Sequence, residues 1–214
     1  MTDEFCPALD IPTFLSLKEG GARVLDVRSG PDWAASHLRG SIFIGLSQGF
    51  PNWAGALLDP KQAWLLISDP AQNAVVVQVL QQLGFSDLKG HLAGGFVSLS
   101  SHAQELTSTE RVDHTALAKE LDGDPAPCLI DVRQPQEWQA GRIGSAPNVP
   151  LTELEARKHE IPAEGRVILQ CQGGYRSLIA ASLMEYHGRE GLVDMAGGFG
   201  SWAQSGLPVS PAGH

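Results

Sequence analysis

Cys171-Gln172-Gly173-Gly174-Tyr175-Arg176-Ser177 stands between the apolar run Val167-Ile168-Leu169 and a helix-like segment from Ser177 to His187. That order predicts a strand, a tight loop and a helix. Two successive glycines let the backbone fold back on itself and turn N–H groups inward. The following helix adds its unpaired first-turn donors and about half an elementary charge at its N-terminus. Such a concavity holds an anion. With a cysteine at the strand end and an arginine at the loop exit, the expected occupant is the cysteine's own sulfur. Cys171 is expected as a thiolate at neutral pH, because a helix N-terminus and a neighbouring arginine both favour the ionised form. The competing reading makes Cys171 a buried structural thiol and the glycines a plain turn. The Gly-Gly pair, the arginine and the placement between strand and helix weigh against it.

Asp131 and Arg133 fall where another strand meets a loop, the place where sites of α/β proteins gather. Asp131 has the chemistry of a general base. The structural alternative pairs Arg133 with Glu137 and lets Asp131 anchor a loop by hydrogen bonds. That alternative is preferred, because the same Asp-Val-Arg occurs at Asp26-Val27-Arg28 with no nucleophile beside it. The histidines His37, His91, His102, His114, His159, His187 and His214 show no Cys–His or metal-ligand spacing. No metal and no cofactor is expected, and the histidines are expected to be solvated or locally bonded.

The elements that must position these residues come in two sets. Val24-Leu25-Asp26-Val27-Arg28 recurs as Leu129-Ile130-Asp131-Val132-Arg133, and Trp33 and Leu46 recur as Trp138 and Leu151, at an offset of 105; Ala93-Gly94-Gly95-Phe96 recurs as Ala196-Gly197-Gly198-Phe199 at an offset of 103. A repeat of this length implies duplicated domains. In the first, a helix carrying Ile11, Phe14, Leu15 and Leu17 precedes strands at Val24 to Val27, Trp64 to Ile67 and Leu88 to Leu92. Short and long helices at Asp32 to His37 and Asn73 to Leu83 lie between them. The second repeats the plan with helices at His114 to Leu121, Glu137 to Ala140 and Ser177 to Tyr186, and strands at Cys128 to Val132, Val167 to Leu169 and Leu192 to Met195. Trp202 is expected to pack under the last turn of chain. Strands alternating with helices at this spacing imply a parallel sheet covered on both faces. Ser98 to Val112 is polar and lacks periodicity, so the boundary is placed there, giving domains 1–105 and 106–214.

The chain has 214 residues, 43% of them hydrophobic, and a net charge of −9, which suits two small globular domains. That charge argues against a nucleic-acid or anionic-membrane partner. Cys6, Cys128 and Cys171 are an odd number without CxxC spacing, which implies no disulfide framework. Asp3 and Glu4 precede any apolar run, and no stretch approaches the ~20 apolar residues of a membrane span. A cytoplasmic location is the expectation.

The Cys171 loop resembles the active-site loop of the rhodanese sulfurtransferases, in which a cysteine opens a six-residue loop closing on an arginine, as Cys171 through Arg176 does. Protein tyrosine phosphatases use a related cradle with one more residue, wide enough for phosphate; the shorter loop favours sulfur. The resemblance extends to nearly the whole chain through the Asp-Val-Arg strand end with Glu137-Trp138, Asn148-Val149-Pro150, the Cys171 loop, and the Gly-Gly-Phe turn with Trp202. Two departures are Arg142, where the family often has histidine, and Gly144-Ser145 in place of Pro-Gly. The resemblance implies two tandem rhodanese-like domains, each a mostly parallel five-stranded sheet with helices on both faces. It also implies that Cys171 attacks the outer sulfur of thiosulfate or a low-molecular-weight persulfide. The enzyme persulfide then gives its sulfur to cyanide, glutathione or another thiol, by ping-pong kinetics. Donors from Gly173 to Arg176 hold the charge on sulfur, Arg176 draws in the anionic donor, Gln172 and Tyr175 influence the acceptor, and Ser177 completes the binding loop. Asp131, Arg133 and Glu137 give structural support.

At the offset of 103 the first domain carries Ser68-Asp69-Pro70-Ala71-Gln72-Asn73, which lacks the cysteine, both glycines and the arginine, and in which Pro70 has no N–H. That domain is expected to be catalytically silent. The Cys171 loop and the Ala-Gly-Gly-Phe turn are also similar to rhodanese modules fused to metallo-β-lactamase-type persulfide dioxygenases. Such an enzyme is therefore expected either as a separate partner or as the rest of a fusion. A reading of a different class makes the chain a non-turnover persulfide carrier or docking module for a sulfur-metabolism enzyme.

Overall fold

The computed structural model describes residues 5–211; Asp3, Glu4 and His214 lie outside them. The chain divides into two compact units, Met1–Ser108 and Thr109–His214, a few residues beyond the boundary expected from composition.

The first unit holds β1 (Ala8–Leu9), α1 (Ile11–Glu19), β2 (Arg23–Asp26), α2 (Gly30–Ala35), β3 (His37–Leu38), β4 (Ile42–Phe43), α3 (Phe50–Leu57), β5 (Trp64–Ile67), α4 (Asn73–Gln82), β6 (Leu88–Leu92) and β7 (Leu106–Thr107). Five strands form a parallel sheet in the order β1-β6-β5-β2-β4. Phe14 of α1 packs with Val24, Leu65, Ile67, Leu92 and Leu99 in one buried cluster. Val76, Val77 and Leu80 are the buried side of α4.

The second unit holds β8 (Glu110–Val112), α5 (His114–Leu121), β9 (Cys128–Asp131), α6 (Pro135–Ala140), α7 (Leu154–Arg157), β10 (Val167–Gln170), α8 (Tyr175–Tyr186), β11 (Leu192–Met195) and α9 (Gly198–Gln204). Its sheet is also parallel, in the order β8-β11-β10-β9. Side chains alternate between its faces. Leu129, Ile168, Val193 and Met195 meet Leu117 of α5 and Trp202 of α9 on one side. Leu178, Ile179 and Ala181 are buried on α8, which packs along β10 and β11.

Two expectations change here. The second sheet has four strands rather than five, because the counterpart of β4 shrinks to a single bridge between Asp131 and Asn148. The segment from Ser98 to Val112, expected to be without periodic structure, holds short elements. Phe96–Ser101 and Ala103–Glu105 are turns of 3-10 helix, β7 pairs antiparallel with β3, and β8 is an edge strand of the second sheet. Such short pieces carry too few residues to show a period, so backbone pairing decided them. Trp202 does secure the end of the chain, donating from Nε1 to the Pro208 carbonyl at 2.8 Å.

Candidate active site

A parallel sheet gathers the carboxyl ends of its strands along one edge. In the second unit that edge carries Asp131 at the end of β9, Cys171 just beyond β10, and the Gly197-Gly198 turn beyond β11. Between β10 and α8 the backbone turns on Gly174, whose φ of 87° belongs to the left-handed region, open to glycine at no steric cost.

Helices leave their first N–H groups unpaired, and a capping side chain usually accepts one. Asp10 does so for α1, taking the Thr13 N–H at 2.9 Å, and Asp113 for α5, taking the Ala116 N–H at 2.8 Å. At α8 no side chain of the cap residue does this. Instead the Gly174 N–H points at Cys171 Sγ, 3.1 Å away, and the Ser177 hydroxyl stands 3.4 Å from the same sulfur. The sulfur thus sits in the position of a capping anion. Cys171 is 1% exposed, while Gln172 and Gly173 lie open to solvent and Tyr175 is half-buried.

The turn after β11 props this loop from below. Phe199 N–H donates to the Cys171 carbonyl at 2.7 Å, and Gly200 N–H to the Gln172 carbonyl at 2.9 Å. Both carbonyls are thereby held by this turn, on the loop whose Gly174 N–H faces the sulfur. The approach is so close that a Cβ on Gly198, whose φ is 55°, would lie 2.2 Å from the Cys171 carbonyl oxygen. Only glycine fits there. The repeated Gly-Gly-Phe therefore has a role that spacing alone did not show.

Arg133 and Glu137 do not pair, contrary to expectation. The Arg133 guanidinium, 2% exposed, lies against both carboxylate oxygens of the fully buried Asp131 at 2.7–3.1 Å, donates to the Gly141 carbonyl at 2.7 Å, and covers the Phe199 ring at 4.0 Å. The two residues lie two apart across the strand end, so the shorter reach within one turn wins over Glu137. Asn148 closes the arrangement by donating to the Asp131 and Arg133 carbonyls at 2.9 Å each. The first unit repeats it, with Arg28 on Asp26 and over the Phe96 ring at 3.5 Å. Arg142 stacks its guanidinium over Trp138 at 4.3 Å.

Glu137 belongs to Arg176. Two hydrogen bonds of 2.6 and 2.7 Å join them fork to fork. The pairing holds the Glu137 carboxyl below its ordinary range and raises Arg176 above its own, chiefly through those bonds. Arg176, expected to draw in an anionic donor, thus shares its charge with a carboxylate reaching in from α6.

Two residues missed in the sequence complete the surroundings. Asp194 of β11 lies on the same face as Cys171 and is fully buried. It accepts from the Ser177 hydroxyl at 2.5 Å and from Arg111 Nε at 2.8 Å. Burial pushes its carboxyl above the ordinary range against both partners. A lone carboxylate inside the apolar strand Leu192–Met195 was the available signal; Arg111 was hidden in the polar segment where the domain boundary was placed.

In the first unit the corresponding loop is differently built. The buried Ser68 hydroxyl donates to the Asn73 side chain, and Asp69 accepts the Ala71 N–H at 2.9 Å. A carboxylate there takes a loop donor that the second unit leaves for sulfur.

A thiol presented on a helix N-terminus at the carboxyl edge of a parallel sheet defines a class of cysteine-bearing α/β domain. The family model of the rhodanese-like domain matches residues 13–102 and 113–205, and the chain belongs to that family through both units. It is 32% identical over 103 residues to a protein of Allochromatium vinosum called a sulfurtransferase, covering 48% of this chain and 96% of that one. It is 42% identical over 74 residues to the uncharacterised protein YqhL of Bacillus subtilis, covering 35% of this chain and 59% of that one. Among solved structures it is similar to a rhodanese-related protein of Thermoplasma volcanium, at 28% identity and a TM-score of 0.43 over 47% of this chain and 97% of that one. It is similar also to a thiosulfate sulfurtransferase of Pseudomonas aeruginosa, at 21% and 0.44 over 96% of this chain and 44% of that one.

Proposed function

We propose that the chain is a two-domain sulfurtransferase that works through a persulfide on Cys171, with a catalytically silent first unit. The observation that carries this is the sulfur in the place of a helix cap, 3.1 Å from the Gly174 N–H. A donor set aimed at that point stabilises negative charge on the attacking thiolate and on the sulfur it acquires. The thiolate attacks the outer sulfur of thiosulfate or of a persulfide, and sulfite or a thiol leaves. An acceptor thiophile then removes the sulfane sulfur and returns the thiolate. Arg176, held by Glu137, keeps positive charge at the loop exit without a free arm. Gln172, Gly173 and Tyr175 border the entrance and contact the incoming group. In the first unit a serine replaces the nucleophile and Asp69 occupies a donor, which supports its silence. A separate persulfide dioxygenase, or one joined to this chain, is a partner whose persulfide substrate belongs to the same chemical class as these donors.

Intact mass spectrometry after mixing with thiosulfate tests the reading. The chain should gain one sulfur atom, lose it to cyanide, and repeat the cycle over many turnovers with a thiol acceptor; Cys171→Ser should gain none. Loading that persists in Cys171→Ser and disappears in Cys6→Ser or Cys128→Ser would overturn it, and a single turnover would make the chain a carrier.

A further inference from the structure

Ser177 presents a difficulty in proton counting. Its hydroxyl has one proton, yet Oγ stands 2.5 Å from Asp194 Oδ1 and 3.4 Å from Cys171 Sγ, all three groups being buried. If Asp194 is ionised, Ser177 must donate to it, and the remaining contact is satisfied only by a Cys171 thiol donating to Oγ. If Cys171 is ionised, Ser177 must donate to sulfur, and Asp194 must carry a proton to donate to Oγ. The geometry therefore admits two matched states that differ by the position of one proton.

We propose that Ser177 and Asp194 form a proton relay that accepts the Cys171 thiol proton within the protein. This rests on the reading of Cys171 as nucleophile. In the step, the S–H bond of Cys171 breaks as a new O–H forms on Ser177. The original Ser177 O–H breaks as one forms on Asp194 Oδ1. Nothing is oxidised or reduced, and the cluster keeps its net charge. Arg111 makes this possible, since its Nε holds Asp194 Oδ2 at 2.8 Å in both states and its positive charge balances the one negative charge whether that sits on oxygen or sulfur. Moving a charge between two sites beside a fixed counter-ion avoids the cost of creating a new one in a buried place. The tendency of burial to favour the neutral Asp194 carboxyl acts in the same direction. When an acceptor removes the sulfane sulfur, the departing Cys171 thiolate again meets the Ser177 proton.

The charged groups facing this cluster are Arg111 from β8, Cys171 at the end of β10, and Arg176 of α8, whose own neighbours are Glu137 of α6 and Asp131 of β9. None besides Asp194 is within hydrogen-bond reach of Ser177 Oγ as a proton acceptor except the sulfur itself. Ser177 touches the reacting atom, whereas Asp194 acts through it as a positioning residue.

Infrared difference spectroscopy of the full chain reads the proton directly. At neutral pH the untreated protein should show a carboxylic-acid carbonyl stretch that is absent in Asp194→Asn and vanishes when Cys171 is alkylated with iodoacetamide, because the thiolate that required the protonated partner is gone. Alkylation rates, read on the Cys171 peptide by mass spectrometry, give a second measure. Ser177→Ala should slow alkylation by roughly 10²-fold, the lower end of what a positioned acid or base supplies, and Ser177→Thr should restore most of the rate. Adding Asp194→Asn to Ser177→Ala should change the rate no further, since the relay is already cut. No acid band in a protein that shows the thiolate's ultraviolet absorbance would overturn the relay, as would slowing by the two substitutions that multiplies. If Asp194→Asn does not fold, the band in the native chain and its loss on alkylation still decide. A chain that shows the band but loads no sulfur from thiosulfate would refute the sulfur-transfer reading and leave the relay standing.

Discussion

Gly198→Ala is expected to damage both the stability of the second unit and the chemistry of Cys171. Two costs combine. At a φ of 55° an L-residue loses about 1–2 kcal/mol relative to glycine. The new Cβ would lie 2.2 Å from the Cys171 carbonyl oxygen, whereas ordinary contact begins at 3.4 Å, and both atoms belong to backbone. The turn and the loop must part by about 1 Å, which breaks the 2.7 and 2.9 Å hydrogen bonds from Phe199 and Gly200, each worth about 0.5–1.5 kcal/mol. The whole loss is about 2–5 kcal/mol. Gly188→Ala is the control: its φ is 82°, but nothing lies within 4 Å of the added Cβ, so only the conformational cost of about 1–2 kcal/mol applies. Urea denaturation followed by tryptophan fluorescence measures both variants, and iodoacetamide labelling of Cys171 reports the loop. Gly198→Ala should be the less stable of the two and should label with an altered rate, while Gly188→Ala labels as the native chain does. Equal destabilisation with unchanged labelling would show that the turn does not hold the loop, and the account of why the Gly174 N–H faces the sulfur would fail.

The other predictions concern the two arginines and the first unit. Arg133→Ala strands the buried Asp131 carboxylate and should cost about 3–5 kcal/mol, against about 1 kcal/mol or less for Arg176→Ala, whose partner Glu137 keeps access to water; equal losses in urea denaturation would contradict the assignment of the pairs. Ser68→Cys, placed in a Cys171→Ser background, should load little sulfur from thiosulfate by intact mass, because Asn73 stands where the arginine is needed and Asp69 occupies a loop donor; rapid loading would mean that the first unit keeps a working anion cradle.

The duplication, the alternation of strand and helix and the Cys171 loop were legible because each depends on local order. Asp-Val-Arg, Gly-Gly-Phe and the glycines after Cys171 keep their meaning wherever the chain goes, since a left-handed residue or a strand end is a property of a few neighbours. Trp202 was likewise expected under the last turn of chain, and it is buried there with its Nε1 on the Pro208 carbonyl. What sequence could not decide was partnership between residues distant along the chain. Glu137 has Arg133 close by in sequence and Arg176 far off, and only the packing of α6 beside the start of α8 selects the second. Arg111 and Asp194 are 83 positions apart, and nothing in either segment announces the other until β8 and β11 pair in register. Composition in the same way hid β7 and β8, which exist because neighbouring strands offered unpaired N–H and C=O groups; the family resemblance overcounted the second sheet, where Asn148 replaces a ladder with a single bridge. Local sequence thus determined that a thiol would sit on a helix N-terminus; the tertiary structure decided which charges surround it, because a hydrogen bond forms according to distance in space.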